Sequence, residues 1–296
     1  MSKWRPAELN CLYVIPDIHG QVSLLNKVLK RILPLRKSDG GQDQLIFLGD
    51  YVDRHADSHL VLDKIIELKK KYPTQVQCIR GNHESMMQEN CKSGNDPVLN
   101  DIFRVWLNNG GSLTLIGYMD RVGKASNPFL LPRNRVKDYV PKEHIEFLEN
   151  DLIDYYCYKD FIFVHGGMNP NIALEAHSID TLHWDRSLVR NILKHIGYAK
   201  SPGLIRRHGI EEQKEPEFVI DWEKTIITGH NGGVTGGKPI IADRYMMLDA
   251  GAPKRLLVAE LNSMEAFMAY PDKDRLVKYP LNETTRETLM NPEETR

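Results

Sequence analysis

The chain has 296 residues, 41% of them hydrophobic and 27% charged, the balance of an ordinary globular protein long enough for one large α/β domain. Lys+Arg 39 against Asp+Glu 40 leaves a formal charge of -1, so no global field draws it to nucleic acid or a membrane, although a local basic pocket is compatible with that total. The opening MSKWRPAELN lacks an apolar signal region, and no stretch approaches a membrane span. The four cysteines (Cys11, Cys78, Cys91, Cys157) form no CxxC pair, so free thiols in a reducing cytoplasm are expected.

The first third repeats one pattern. Leu12-Tyr13-Val14-Ile15 is followed by the polar tip Asp17-Ile18-His19-Gly20, and then by Leu24, Leu25, Val28, Leu29 and Ile32 at helical spacing. Leu45-Ile46-Phe47-Leu48 leads through Gly49-Asp50 to Leu60, Val61, Ile65, Ile66 and Leu68. Val76-Gln77-Cys78-Ile79 leads through Gly81-Asn82-His83-Glu84 to a third helix. Strand, polar loop and helix three times over predict consecutive βα units and a largely parallel sheet, with ligands bound beyond the carboxyl ends of the strands.

From about Asn90 to Asn150 the pattern is looser and helical, which predicts a helical insertion capping one side of the sheet. Tyr155–Tyr158 and Phe161–Val164 predict a hairpin whose second strand ends at His165-Gly166-Gly167. A helix is expected around Leu188–Ile196 and a polar loop near Arg206-Arg207-His208. Late strands are expected at Thr225–Thr228, Tyr245–Leu248, Leu256–Leu261 and Ala266–Tyr270. The chemistry-bearing domain is thus expected over 1–270, with a polar, acidic tail over 271–296.

The strand ends carry Asp17 and His19, Asp50 and Asp53, Asn82 and His83, then His165, and His230 after Thr228-Gly229. The first three tips recur about one βα unit apart, so their side chains converge along one sheet edge. Any one Asp or His at a strand end is usually a loop cap or surface group, but five tips presenting metal-competent side chains form a joint pattern. Oxygen and imidazole without thiolate suit Mn²⁺, Zn²⁺ or Fe. Asp17, His19 and Asp50 can hold a first divalent metal ion; Asp50, Asn82, His165 and His230 a second, with Asp50 bridging. A bridging carboxylate brings two cations to about 3.5–4 Å, where both can share one hydroxide.

Pro16-Asp17-Ile18-His19-Gly20, Gly49-Asp50-Tyr51-Val52-Asp53-Arg54, Gly81-Asn82-His83-Glu84, His165-Gly166-Gly167 and Gly229-His230 together resemble the ordered motifs of calcineurin-like metallophosphoesterases, in the phosphoprotein-phosphatase branch. Trp106-Leu107-Asn108-Asn109-Gly110-Gly111, Trp184-Asp185-Arg186 and Leu248-Asp249-Ala250-Gly251-Ala252 are similar to segments of the lambda-phage-type and bacterial serine/threonine protein phosphatases and of the symmetrical diadenosine-tetraphosphate hydrolases. The resemblance implies a four-layered α/β/β/α sandwich run with two divalent ions, Mn²⁺ first, with Zn²⁺, Fe or Ni²⁺ as substitutes. It implies a phosphorylated protein or a small phosphoester or nucleotide as substrate. His83 would be the general acid, outside the metal shell, with Asp53 orienting it and keeping it cationic. Arg54 and Arg186 would clamp the phosphate oxygens, and Arg80 would support that clamp or form a surface salt bridge. Pro16 and His55 depart from the usual glycines, and His55 is placed to narrow or re-aim the cleft.

The expected activity is hydrolysis of phosphoserine or phosphothreonine by a hydroxide held between two metals. Diadenosine-tetraphosphate or 2′,3′-cyclic phosphodiester hydrolysis is the alternative on the same fold, and a non-catalytic phosphate-binding module the distant one. Glu84 leans toward the protein phosphatases, since the nucleotide hydrolases more often carry Asp there. The near-P-loop Gly232-Gly233-Val234-Thr235-Gly236-Gly237-Lys238-Pro239 ends in Pro instead of Ser/Thr and is read as a loop flanking His230. Trp106 and Trp184 are expected to pack in core or cap, and His177, His183, His195 and His208 have no partnered motif.

Overall fold

The computed structural model describes residues 10–92, 97–124, 126–197 and 222–285. The loop expected near Arg206-Arg207-His208 and residues 286–296 lie outside the described residues. Strand β1 (Leu12–Ile15) leads into α1 (Val22–Ile32). A small ribbon, β2 (Lys37–Ser38) with β3 (Gly41–Gln42), precedes β4 (Gln44–Phe47) and α2 (Ser58–Lys71). Strand β5 (Val76–Cys78) leads into α3 (Asn82–Cys91). Helices α4 (Pro97–Trp106), α5 (Ser112–Arg121) and α6 (Lys142–Asn150) follow, then the hairpin β6 (Tyr155–Tyr158) and β7 (Phe161–Val164). After α7 (Ile179–Trp184) and α8 (Ser187–His195) come β8 (Thr225–Thr228), β9 (Ile240–Ala242), β10 (Tyr245–Met247), β11 (Leu256–Glu260), β12 (Glu265–Ala269) and β13 (Val277–Pro280).

The strands form two mixed sheets, ordered β13-β12-β11-β1-β4-β5 and β6-β7-β8-β10-β9, beside the β2-β3 ribbon. Alternation along each strand assigns its faces. Leu12, Val14, Ile46, Leu257 and Ala259 of the first sheet pack with Phe163, Ile227, Ile241 and Met246 of the second, forming the inter-sheet core. Tyr13, Ile15, Leu45, Phe47 and Val258 face the other way, onto α1–α6. Val164, Ile226, Ile240, Tyr245 and Met247 face α7 and α8. Helix, sheet, sheet, helix is the expected four-layered sandwich. The apolar stripe of α1, Leu24, Leu25, Val28, Leu29 and Ile32, is wholly buried, and Pro34 prevents the helix from continuing.

Two expectations are corrected. The first sheet is parallel only across β1, β4 and β5, because β11–β13 return antiparallel on the other side of β1. The polar tail does not begin at 271. Residues 277–280 pair with β12 as an edge strand, and the Thr284 hydroxyl accepts from Ile241 N–H at 2.8 Å. Both ties run through backbone groups, so low apolar content hid them. No helix among the described residues is long and apolar enough to cross a membrane.

From α4 to α6, Phe103, Trp106, Leu115, Tyr118, Phe147 and Leu148 join the core that covers the first sheet. Here α5 lies against the loop after β4: a Cβ built on Gly117 would stand 1.8 Å from the Ala56 carbonyl oxygen. Alanine raises helix propensity by about 1 kcal/mol, while overpacking against backbone costs typically 1–3 kcal/mol. Overpacking wins here, because a carbonyl cannot rotate aside as a side chain can. Gly117→Ala is therefore expected to lower the denaturant midpoint; an unchanged or raised midpoint would show that α5 is free to shift.

Candidate metal centre

Parallel pairing of β1, β4 and β5, and of β7 and β8, brings every polar tip to one edge of the sandwich. Asp17, His19, Asp50, Asn82, His165 and His230 are all buried there, none more than 7% exposed. The chain turns sharply to place them. His19 (φ 47°), Asp50 (φ 53°), Asp53 (φ 71°), Arg54 (φ 66°) and His230 (φ 62°) are all left-handed. Such backbone costs of order 1–3 kcal/mol per residue and persists where its surroundings over-determine it.

Those surroundings centre on Glu84. Its Oε2 accepts from Asp50 N–H (2.8 Å) and Gly81 N–H (3.0 Å), and its Oε1 from Tyr51 N–H (2.8 Å) and Val52 N–H (3.2 Å). One buried carboxylate thus ties the second strand tip to the third. Burial, and next the Asp50 carboxylate, push Glu84 up to about 7, while the Val52 N–H pulls the other way. Sequence reasoning assigned Glu84 no structural role; its position three residues after Gly81, a capping-box spacing, is the signal that was present.

Asp50 is shared by two ligand groups. Ligand atoms of His19, Asp50 and His83 lie within 4.8 Å of one another, as do those of Asp50, His165 and His230. Asp17 adjoins the first group, its Oδ2 being 3.9 Å from His19 Nε2, and Asn82 the second, its Oδ1 being 3.1 Å from His165 Nε2. His19 Nδ1–H donates to the Val52 carbonyl at 2.8 Å, and His165 Nδ1–H to the Leu48 carbonyl at 2.8 Å. Those bonds fix the tautomers and leave Nε2 of each ring facing the cluster.

The donor set fits divalent cations. The buried Nε2 atoms of His19 and His230 have no hydrogen-bond partner, which a lone pair directed at a cation would explain. Burial, then His83, holds the His19 pKa well below the usual range; burial, then His165, does the same for His230, so both stay neutral. Asp17 is pushed well up by burial and then by Asp249 and Asp50, an accumulation of carboxylates that positive charge would relieve. Burial opposes ionisation of Asp50, but His165 and His83 outweigh it and hold Asp50 well below the usual range. Burial also opposes charging of His165, yet Asp50 outweighs it and raises the ring to about 9, so a cation there would displace a proton.

The remaining predicted residues divide. His83 Nδ1–H donates to Asp53 Oδ2 at 2.7 Å. Asp53 also accepts from Trp106 Nε1–H (3.0 Å) and the Thr114 hydroxyl (2.8 Å). Trp106 is fully buried, as expected of a packing residue, but it also has this polar task. Burial disfavours a charged His83, but Asp50 and Asp53 outweigh it and raise its pKa. Arg54 donates to His83 Nε2 at 3.1 Å, and Arg186 to Asn231 Oδ1 at 3.4 Å. Arg80 turns elsewhere, to Gln88 Oε1 (2.5 Å) and Asp154 (3.7 Å), the salt-bridge alternative. The His55 ring accepts from Asp57 N–H at 3.1 Å. Trp184, expected in core or cap, is 41% exposed with its ring 6.2 Å from that of His230. Asp249 was not singled out as a site residue; it accepts from Gly232 N–H (2.6 Å) and Gly251 N–H (2.8 Å), tying the loop after His230 to the strand end after β10.

A double-sheet sandwich with buried His and Asp groups suited to metal at its strand ends has the architecture of a metallophosphoesterase. The chain belongs to the calcineurin-like phosphoesterase family, whose profile matches residues 12–248. It is 44% identical over 72 residues to serine/threonine-protein phosphatase SIT4 of Candida albicans, covering 24% of this chain and 23% of that protein. It is 42% identical over 74 residues to serine/threonine-protein phosphatase PP1-1 of Saccharomyces cerevisiae, covering 24% and 22%. The matches thus span about a quarter of the length of these relatives. Among solved structures, a candidate diadenosine tetraphosphatase aligns over 93% of this chain and 96% of its own, with TM-score 0.50 and 14% identity, a likeness of fold.

If Asp50 serves both ligand groups, losing its charge should loosen both, whereas losing Asp17 should weaken mainly one. Metal titration by calorimetry is expected to show both affinities reduced in Asp50→Asn and one largely preserved in Asp17→Asn. A full-affinity second site in Asp50→Asn would remove Asp50 from the bridging position.

Proposed function

We propose that this chain is a two-metal phosphoester hydrolase, with phosphoserine or phosphothreonine in proteins as its substrate. The observation that carries this is Asp50, a buried carboxylate shared by two ligand groups and flanked by the His83–Asp53 pair and Arg54. Asp17, His19 and Asp50 would hold one ion, and Asp50, Asn82, His165 and His230 the other. Mn²⁺ suits a labile oxygen-and-nitrogen set; Zn²⁺, Fe and Ni²⁺ are the substitutes. Bound there, the ions supply Lewis acidity and a water-derived nucleophile at neutral pH.

The chain's own residues do the rest. Arg54 and Arg186 bind the non-bridging oxygens of the phosphate, and planar guanidinium donors suit that geometry. Arg54 exchanges His83 for the phosphate, which frees Nε2 to carry the proton. His83 then gives that proton to the departing oxygen, with Asp53 holding Nδ1–H and stabilising the charged ring. Trp106 and Thr114 each donate to Asp53, whose pKa burial raises while the His83 and Thr114 bonds oppose that rise. Local sequence identity to two serine/threonine phosphatases supports the substrate class. Cys11, Cys78, Cys91 and Cys157 take part in no disulfide, which supports a reducing, cytoplasmic setting.

Activity on p-nitrophenyl phosphate is expected to vanish on chelation and return best with Mn²⁺, and a phosphopeptide should outcompete diadenosine tetraphosphate and a 2′,3′-cyclic nucleotide. Preference for either nucleotide would reassign the substrate, and turnover by protein shown metal-free would end the two-metal reading.

His83 lies close enough to Asp50 and His19 to be a ligand instead of an acid. As an acid, His83→Ala should keep both metals and lose about 10²–10⁴ in rate, roughly 3–5 kcal/mol of barrier. The loss should be smallest for p-nitrophenolate, which leaves unaided, and largest for a serine alkoxide. Equal losses with a depleted metal content would move His83 into the metal shell.

A further inference from the structure

A second polar network lies outside the metal groups, built around a histidine that the sequence left without a role. The His183 side chain is 1% exposed, and both its ring nitrogens are engaged. Nε2–H donates to Asp154 Oδ1 at 3.0 Å, and Nδ1 meets the Ser85 hydroxyl at 3.0 Å. Asp154 also faces Arg80 at 3.7 Å. Hydrogen bonding from His183 outweighs burial and, with Arg80, holds the Asp154 carboxyl below its usual range. Ser85 sits in the first turn of α3, three residues after Asn82 and two after His83. His183 sits at the end of α7, three residues before Arg186.

We propose that His183 is a positioning residue: through Ser85 and Asp154 it fixes the segment that carries Arg186 relative to the helix that starts at Asn82 and His83. This rests on the phosphatase reading, in which Arg186 binds phosphate.

The α7 segment needs such an anchor. It has six residues, far short of the roughly 12–15 at which a helix sustains itself, so outside contacts decide where it lies. Several other contacts among the described residues also hold it, beginning with Leu182 in the core under α7 and α8. Ser178 accepts from Thr181 N–H at its start, Gly166 N–H donates to the Leu182 carbonyl at 2.7 Å, and Asp185 accepts from Ser187 and Leu188 N–H. A Cβ on Gly166 would stand 2.8 Å from the His183 carbonyl carbon, so the metal-centre loop after β7 and α7 touch backbone to backbone. Those contacts set α7 against its own sheet or cap its ends. His183 alone among them reaches α3, on the first sheet's side. This side chain therefore helps set the distance between Arg186 and the acid at His83, beside the route that runs from α7 through Gly166 and His165 to Asn82.

A merely structural histidine would lower stability without regard to Arg186, so the test is a double-mutant cycle. Inorganic phosphate binding to Mn²⁺-loaded protein is measured by calorimetry, alongside KM and kcat on p-nitrophenyl phosphate, for wild type, His183→Gln, Arg186→Ala and the double variant. Glutamine can reach Ser85 or Asp154 but not both. His183→Gln is expected to weaken phosphate binding about tenfold, raise KM more than it lowers kcat, and leave metal content unchanged. In the Arg186→Ala background it should cost almost nothing further. Multiplying losses in the double variant would overturn the proposal, as would a His183→Gln effect confined to metal content or melting temperature. If His183→Gln does not fold, Ser85→Ala, which removes one hydroxyl, enters the same cycle with the same two outcomes. A wild type that binds phosphate but turns over no phosphoester would refute the phosphatase reading, while the binding cycle would still decide the coupling.

Discussion

The candidate site depends on one arrangement: a carboxylate, Glu84, gathering backbone N–H groups from two different strand tips. Asp50 is left-handed, and its conformation would relax if nothing held it. The Glu84 oxygens accept from Asp50, Tyr51, Val52 and Gly81, so the loops after β4 and β5 are one unit. Charge-assisted hydrogen bonds in a dry interior are stronger than neutral ones, and breaking one leaves a buried group unpaired. Asp53 and Arg54 follow in the first of these loops, Asn82 and His83 open α3 directly after the second, and all four take their places from that lock.

The second determinant is charge. Asp17, Asp50 and Asp249 are buried near one another, and the imidazoles between them answer that charge only in part. His19 and His230 stay neutral because burial outweighs their acidic neighbours, while His165 is raised by Asp50. Proton and cation therefore compete for the same ring. Burial, then Arg190, lowers the Arg186 pKa, and the same carboxylates oppose that shift without reversing it.

Much of this was legible in the sequence. The βα rhythm placed Asp17, His19, Asp50, Asn82 and His83 at strand ends, and the hairpin and the β8 strand did the same for His165 and His230. What pattern reading missed was held by contacts without periodicity. β13 is a mostly exposed edge strand joined through its backbone, and Thr284 ties back to Ile241 through its N–H and its hydroxyl. Trp106 was legible as apolar volume, but its one N–H, aimed at Asp53, was not. His183 and Asp249 gain their partners only when α3 meets α7 and when the loop after β8 meets the end of β10. Arg80 was left between phosphate support and a salt bridge, because its partners Asp154 and Gln88 meet it only in the folded chain.

The interleaving of the first sheet bears on how the chain is made. β1, near the beginning, is flanked on one side by β4 and on the other by β11, which lies near the end. Asp17 likewise accepts its hydrogen bond from the His230 N–H, 213 residues away. A ribosome releasing this chain exposes Asp17, His19, Asp50 and Asn82 long before His230 exists. The early βα units can fold as they emerge, but one side of β1 stays bare until β11 arrives. Closure of the central sheet and completion of the ligand set thus both wait for segments made long after the early βα units, and a nascent chain cannot assemble the full site before those segments emerge.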